Sequence, residues 1–178
     1  MANDFPSTRD MPSRLGKAML IAAWVVGLAL LVLLFQSHLE RQHNPNPDPT
    51  LRLDAAGVPT VVLQRNRMGH YVTGGTINGE PVTFLLDTGA TAVALPLTLA
   101  RRLELALLPG GMSKTANGLV RTWSTRLDSV DVAGLTAHDV RAVVMPNMPG
   151  DEVLLGMNYL KRFELIQRGN TLTLRAPG

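Results

Sequence analysis

The sequence predicts a mostly β domain with one or two short helices, preceded by a transmembrane helix. Two observations lead to this fold class. One apolar run near the N-terminus is long enough to cross a bilayer, and the chain beyond it breaks into short apolar runs, rich in β-branched residues, between turn signals. The 178 residues are typical of about one folded domain.

The first element is the predicted transmembrane helix, residues 18–35, which contains no charged side chain. As a helix these residues span about 27 Å, close to the thickness of a bilayer's hydrocarbon core. Basic residues precede the run, at Arg9, Arg14 and Lys17. The bias predicts that residues 1–17 form a cytoplasmic tail and that the folded domain lies on the periplasmic side of an inner membrane.

A cleaved signal peptide is the alternative for the same run. The run is longer than the usual apolar region of a signal peptide, and Gln36–Glu40 contains no small-x-small cleavage site. The sequence therefore favours a retained anchor.

Residues 36–57 are predicted to be a spacer. Within them, Asn44–Pro49 alternates proline with turn-forming residues, a pattern that cannot continue a helix and favours extended, solvated chain. The folded domain is accordingly expected to cover residues 58–178.

The domain is predicted to open with strands at Thr60–Gln64 and His70–Ile77. Asn78-Gly79 then predicts a two-residue hairpin turn, because a type I′ turn needs positive φ at both central residues. The chain folds back into the apolar strand Val82–Leu86, which ends at Asp87.

Asp87 is the unusual residue of this stretch, because a carboxylate at the end of an apolar strand loses solvation and needs hydrogen bonds or a shifted pKa. In Asp87-Thr88-Gly89 the glycine lets backbone N–H groups come close, and the threonine adds a hydroxyl that both donates and accepts. These are the surroundings of a catalytic acid, although an Asp-initiated turn is also a common structural device.

The later elements follow the same reasoning. Pro96 is predicted to start a helix that runs to about Leu105, and Pro109–Gly111 is predicted to break the chain before a polar hairpin at Ser113–Thr122. Turn signals at Ala133-Gly134 and Gly169-Asn170 predict the remaining hairpins.

The strand and turn around Asp87, Thr88, Gly89 and Ala90 resemble the active-site loop of the retropepsin-like aspartic proteases. The resemblance implies a single-lobe β-barrel, a catalytic Asp87 in each chain, and a homodimer that cleaves a polypeptide substrate. It also implies that the polar hairpin, at Thr115, Ala116, Asn117 and Gly118, is a substrate-binding flap. On local sequence alone, an ordinary surface hairpin is an equal alternative.

A second segment strengthens the resemblance. Leu154, Leu155 and Gly156, followed by Asn158, resemble the apolar-apolar-Gly motif of the family's second half, and they echo Leu85-Leu86-Asp87. Retroviral enzymes commonly carry an Arg–Asp pair where this chain has Met157 and Thr91, so the chain more closely resembles the bacterial membrane-anchored members.

The function hypothesis is therefore a membrane-anchored aspartic endopeptidase. No metal or other cofactor is expected, because the chain lacks cysteine and its four histidines lack ligand spacing. No nucleic-acid partner is expected either, because basic runs are absent and aromatic residues make up 4% of the chain. The alternative function is a membrane-tethered domain of the same fold that only binds peptides or dimerises.

Overall fold

The structure is a computed structural model that describes residues 11–115 and 118–177. The chain divides into two compact units, one ending at Glu40 and the other beginning at Arg41. The second unit is mostly β with two short helices, which confirms the predicted fold class. In chain order the elements are α1 Met11–His43, β1 Leu51–Leu53, β2 Pro59–Gln64, β3 Val72–Ile77, β4 Glu80–Leu86, β5 Val93–Pro96, α2 Leu97–Arg102, β6 Leu108–Thr115, β7 Gly118–Val132, β8 Leu135–Met145, β9 Glu152–Leu155, α3 Met157–Leu160, β10 Glu164–Arg168 and β11 Thr171–Arg175.

Helix α1 contains the predicted transmembrane run. Its part from Gly16 to His43 is long and apolar enough to cross a membrane, and the side chains of its apolar run are exposed. The helix continues beyond residue 35, because neither glycine nor proline occurs between Gln36 and His43. The first eight residues of the predicted spacer, 36–43, are therefore helical.

Seven strands form the larger sheet, in the order β3-β4-β9-β5-β8-β7-β6, and a further pairing of β3 with β7 folds the sheet back on itself. Strands β4 and β9, second and third in this order, run parallel. The predicted type I′ turn has the required backbone, with φ of 52° and 84° at Asn78 and Gly79. The turn predicted at Ala133-Gly134 has positive φ at both residues as well, 52° and 91°.

The smaller sheet has the order β1-β2-β11-β10. Its Val61, Leu63 and Leu174 belong to one hydrophobic core shared with the larger sheet. At its margin, Arg175 makes ion pairs with Asp54 at 2.7 Å and Glu164 at 3.1 Å. Tyr159 is fully buried in the core, which raises the pKa of its hydroxyl, and that hydroxyl donates to the Leu135 carbonyl at 2.6 Å.

Two predicted boundaries differ from the structure. Pro96 ends β5 and caps α2, which stops at Arg102, so the helix is shorter than predicted at both ends. Pro109–Gly111 lies inside β6, where the register shifts as in a β-bulge, and β7 is one strand from Gly118 to Val132.

The solvated spacer is a further correction. Asn46 is 8% exposed, and its side-chain nitrogen donates to the carbonyls of Gln64 at 2.9 Å and Val72 at 2.7 Å. These hydrogen bonds satisfy the buried amide of Asn46 and fix the chain around it to the β domain. The compact domain therefore starts well before residue 58.

Candidate active site

Asp87 stands directly after β4, the strand that lies between β3 and β9 in the larger sheet. Its backbone N–H donates to the Leu155 carbonyl of β9 at 3.2 Å, which continues the strand pairing by one step. Its Oδ1 accepts a hydrogen bond from the Gly89 N–H at 2.8 Å, and its carbonyl accepts one from the Ala90 N–H at 3.2 Å. The side chain is partly exposed, so the turn holds the carboxylate without enclosing it.

Strand β9 places a second turn beside the first. Leu85 and Leu86 of β4 are in register with Leu154 and Leu155 of β9, so Gly156 lies level with Asp87. A Cβ atom built on Gly156 would lie 2.4 Å from the Ala92 carbonyl oxygen. Only glycine allows the active-site loop to pass this close to β9.

Backbone hydrogen bonds tie α3 to the active-site loop. The N–H groups of Met157 and Asn158 donate to the carbonyls of Ala90 at 2.8 Å and Thr91 at 3.1 Å. These backbone bonds lie at and next to Thr91 and Met157, the positions where retroviral enzymes commonly carry a charged pair. No buried charge is needed to fix the loop.

Asn158 adds side-chain bonds to this brace. Its Oδ1 accepts from the Val93 N–H at 3.0 Å, and its Nδ2 donates to the Arg141 carbonyl at 2.6 Å. The side chain thus joins the far end of the active-site loop to β8. The structure brings the predicted second-half motif and the predicted Asp87 loop together.

A groove of about 500 Å³ opens at Asp87. Five leucines and several polar side chains line it together, and among the described residues that line it Asp87 is the one carboxylate. The Tyr71 hydroxyl is buried without a hydrogen-bond partner. The lining consists of Gly69, His70, Tyr71, Leu85, Leu86, Asp87, Thr88, Leu160, Leu165, Gln167 and Leu172.

Several of these lining residues were not predicted as site residues. Leu165, Gln167 and Leu172 come from the C-terminal hairpin, which reaches the groove only through the pairing of β11 with β2. The turn signal at Gly169-Asn170 predicted a hairpin here, but nothing local to it pointed to a site about 80 residues earlier in the chain.

The predicted flap forms the hairpin between β6 and β7, in which Thr115 pairs with Gly118. Ala116 and Asn117 lie outside the described residues. Leu119 and Met112 of this hairpin are exposed, and none of the described hairpin residues lines the groove. The structure therefore does not place the flap against Asp87.

Metal-binding groups do not converge in the part of the chain that the structure describes, where no three histidine or acidic side chains form a cluster. The chemistry available at the groove is that of one carboxylate, the His70 imidazole, the Gln167 amide, backbone N–H groups and hydroxyls. One carboxylate cannot act as general acid and general base in the same step, so a two-carboxylate mechanism at this site would need a second chain.

Comparison with known proteins agrees with this geometry. Residues 73–162 match the family model described as gag-polyprotein putative aspartyl protease. A crystal structure of a retropepsin-like aspartic protease from Rickettsia conorii superimposes with a TM-score of 0.60 at 26% identity, covering 72% of this chain and 96% of that one.

Two curated relatives are uncharacterised proteins. One from Sinorhizobium sp. is 32% identical over 132 residues, 71% of this chain and 56% of the relative. One from Rickettsia prowazekii is 31% identical over 111 residues, 60% of this chain and 47% of the relative. This chain thus spans about half the length of the curated relatives it matches. The chain belongs to the gag-polyprotein putative aspartyl protease family, and its fold is that of the retropepsin-like aspartic proteases.

Proposed function

We propose that this chain is a membrane-anchored aspartic endopeptidase, active as a homodimer in which each subunit contributes Asp87. The observation that carries the proposal is the position of Asp87. It is one partly exposed carboxylate, held by Gly89 N–H, on a loop braced by β9 and α3, in the lining of a groove that contains five leucines as well as polar residues. Such a groove suits the side chains of a polypeptide substrate.

The proposed mechanism needs two copies of Asp87. Two carboxylates about 3 Å apart across a two-fold axis cannot both ionise, so they share one proton, as they do in known aspartic proteases. The ionised Asp87 takes a proton from a water molecule while the protonated one donates to the peptide carbonyl. Attack by that water gives a tetrahedral diol, which collapses when the leaving nitrogen is protonated.

Residues around Asp87 take supporting roles in this proposal. Thr88 braces the paired loops, while Gly89 and Ala90 leave room for the substrate backbone. The flap residues Thr115–Gly118 pair with an extended peptide in the manner of an added strand and exclude water when they close.

Membrane anchoring completes the proposal. Residues 18–35 within α1 span the bilayer of the inner membrane, with residues 1–17 in the cytoplasm. The β domain then acts on the periplasmic side. Retention of the chain in washed membranes, and its release by detergent, tests the anchor separately from the chemistry.

The chemistry is tested by comparing the full chain in detergent with its Asp87→Asn variant on a denatured protein between about pH 4 and pH 7. We expect cleavage by the wild type and a loss of at least about 10³-fold in the variant, because the pair loses its shared ionisation. Asp151→Asn is the matched control, since Asp151 is exposed and pairs only with exposed Arg102. Equal inactivity of wild type and variant would favour the peptide-binding alternative.

Mixed subunits test the homodimer. When wild-type and Asp87→Asn chains are co-expressed in equal amounts, random pairing leaves about one quarter of the dimers with two aspartates. Cleavage per total chain should fall to about one quarter of the wild-type value. A fall to about one half would show that each subunit works alone.

A further inference from the structure

The segment between α1 and the β domain is built into the domain at Asn46. Besides the two bonds that its side-chain nitrogen donates, Asn46 Oδ1 accepts from the Gln64 N–H at 2.7 Å. One buried side chain thus joins the end of β2 to the start of β3. Loss of this side chain would remove the hydrogen-bond partner of three backbone groups, which costs free energy. The chain is therefore held firmly to the domain at Asn46.

The backbone around Asn46 is fixed as well. The Asn46 carbonyl accepts from the Gly74 N–H at 2.9 Å and from Thr73 Oγ1 at 3.1 Å. A Cβ atom on Gly74 would lie 1.9 Å from the Pro47 carbonyl oxygen, so the segment passes over a position that only glycine can occupy. Residues 46–47 therefore lie along the edge of β3 as a short added strand.

The attachment extends to His43 and Gln42. The His43 carbonyl accepts a hydrogen bond from Asn66 Nδ2 at 2.9 Å, and its imidazole contacts the carboxylate of Glu152. Glu152 is the first residue of β9, the strand that braces the Asp87 loop. Gln42 Oε1 accepts a hydrogen bond from Arg67 Nη1 at 3.3 Å, so the domain holds the chain from four positions before Asn46.

This attachment shortens the tether, by which we mean the segment between the apolar run and the first residue that the domain holds. The apolar run ends at residue 35 and the domain holds the chain from Gln42 onward, which leaves the six residues 36–41 between them. Six residues span at most about 21 Å even when fully extended. A spacer over the whole of residues 36–57 would have reached about 75 Å.

We infer that the substrates of this protease are polypeptide segments close to the membrane surface, such as the stalks of other membrane-anchored proteins. The inference rests on the proposed function. A tether this short limits how far the β domain can move from the bilayer and raises the effective concentration of membrane-proximal peptide bonds over bonds carried on distant or freely diffusing chains.

Two membrane-anchored reporter proteins test this substrate class with the full chain in membranes. Both carry the same unstructured segment, which detergent-solubilised wild type cleaves. In one reporter the segment follows the membrane span directly, and in the other a folded domain about 35 Å across separates them. We expect the wild type to cut the near segment about tenfold faster than the far one.

A flexible insertion sharpens the test. Twenty-four Gly and Ser residues between Glu40 and Arg41 add a flexible linker with a fully extended length of about 80 Å. This insertion should bring the two cleavage rates to within about twofold. The same insertion at the N-terminus of the chain is the matched control and should keep the wild-type ratio.

The outcomes separate this inference from the proposed function. Equal cutting of both reporters by wild type, an unchanged ratio after the insertion, or cleavage in detergent without cleavage of the near reporter would overturn the inference alone. No cleavage in detergent by wild type would overturn both.

Discussion

Two turns lie side by side at the ends of parallel strands, and they differ in what they carry. The turn after β4 presents Asp87, partly exposed, with one backbone N–H on its carboxylate. The turn after β9 presents buried Gly156 and no side chain, and it is followed by Asn158, which ties the loop to β8.

The two turns therefore have different roles: the first presents the carboxylate, and the second holds the loop in place. A carboxylate that works on a substrate must remain accessible, so it cannot also be enclosed by the bonds that hold its loop. The second turn and the helix after it supply those hydrogen bonds to the loop, through backbone groups and one side-chain amide. Substitutions in the two turns should therefore affect different quantities, and the predictions below test that division.

The largest effect is expected for Gly156→Ala. The new Cβ would lie 2.4 Å from the Ala92 oxygen and 2.9 Å from the Ala90 oxygen, which are backbone atoms and cannot move aside. We expect a loss of about 3 kcal/mol or more in unfolding free energy, measured by urea denaturation, together with lost cleavage. Gly111→Ala is the control, because nothing lies within 4 Å of its Cβ position. A fully stable Gly156→Ala would contradict the proposed brace.

Asn158→Ala should have the next largest effect. It removes the acceptor of the Val93 N–H and the donor to the Arg141 carbonyl, so we expect a loss of about 2 kcal/mol in unfolding free energy. Asn170→Ala is the matched control, since the Asn170 side chain makes an exposed bond to Arg65. Equal losses in the two variants would show that Asn158 is an ordinary surface residue.

Gly89→Ala makes the same change in the first turn and should have a different result. Its Cβ would lie 3.1 Å from Asp87 Oδ1, the end of a side chain that can shift. We expect less than about 1 kcal/mol of lost stability but a clear loss of cleavage, because the carboxylate moves from its position. Denaturation curves and cleavage rates measured on one preparation decide this. A loss of stability as large as that of Gly156→Ala would remove the distinction between the turns.

An ion pair away from both turns gives the smallest effect and a reference for acid sensitivity. The hydrogen bond from Arg175 lowers the pKa of Asp54 below its usual 3.8. Because the folded pKa is depressed, the pair stabilises the fold at neutral pH, and this stability is lost as pH falls through the folded pKa. Asp54→Asn should lower the urea midpoint at pH 7, and the difference from wild type should vanish in acid. A difference that persists there would rule out this ionisation.

Local signals predicted a large part of the fold. Asn78-Gly79 alone predicted a hairpin, because a type I′ turn requires left-handed backbone at both central residues and these two residue types adopt it readily. The strand before Asp87 and its turn were predicted from consecutive residues in the same way. The roles of Gly156 and Asn158 were predicted only through their resemblance to a family motif, because their bonding partners lie far away in the chain.

The errors in prediction occur where distant partners decide the structure. Asn46 read as part of a solvated spacer, since nothing next to it in sequence shows that Gln64 and Val72 satisfy its amide. Pro109–Gly111 read as a break, but pairing with β7 keeps the stretch in a strand, and Gly110 is needed there because a Cβ would lie 2.6 Å from the Thr122 oxygen.

The bonds from Met157 and Asn158 to Ala90 and Thr91 also set when the Asp87 loop can reach its folded arrangement during synthesis. Asp87 leaves the ribosome about 70 residues ahead of Asn158, which corresponds to several seconds of translation. Throughout that interval the nascent chain carries Asp87 on a loop that lacks these hydrogen bonds. Synthesis therefore delays the finished loop until Asn158 has been made.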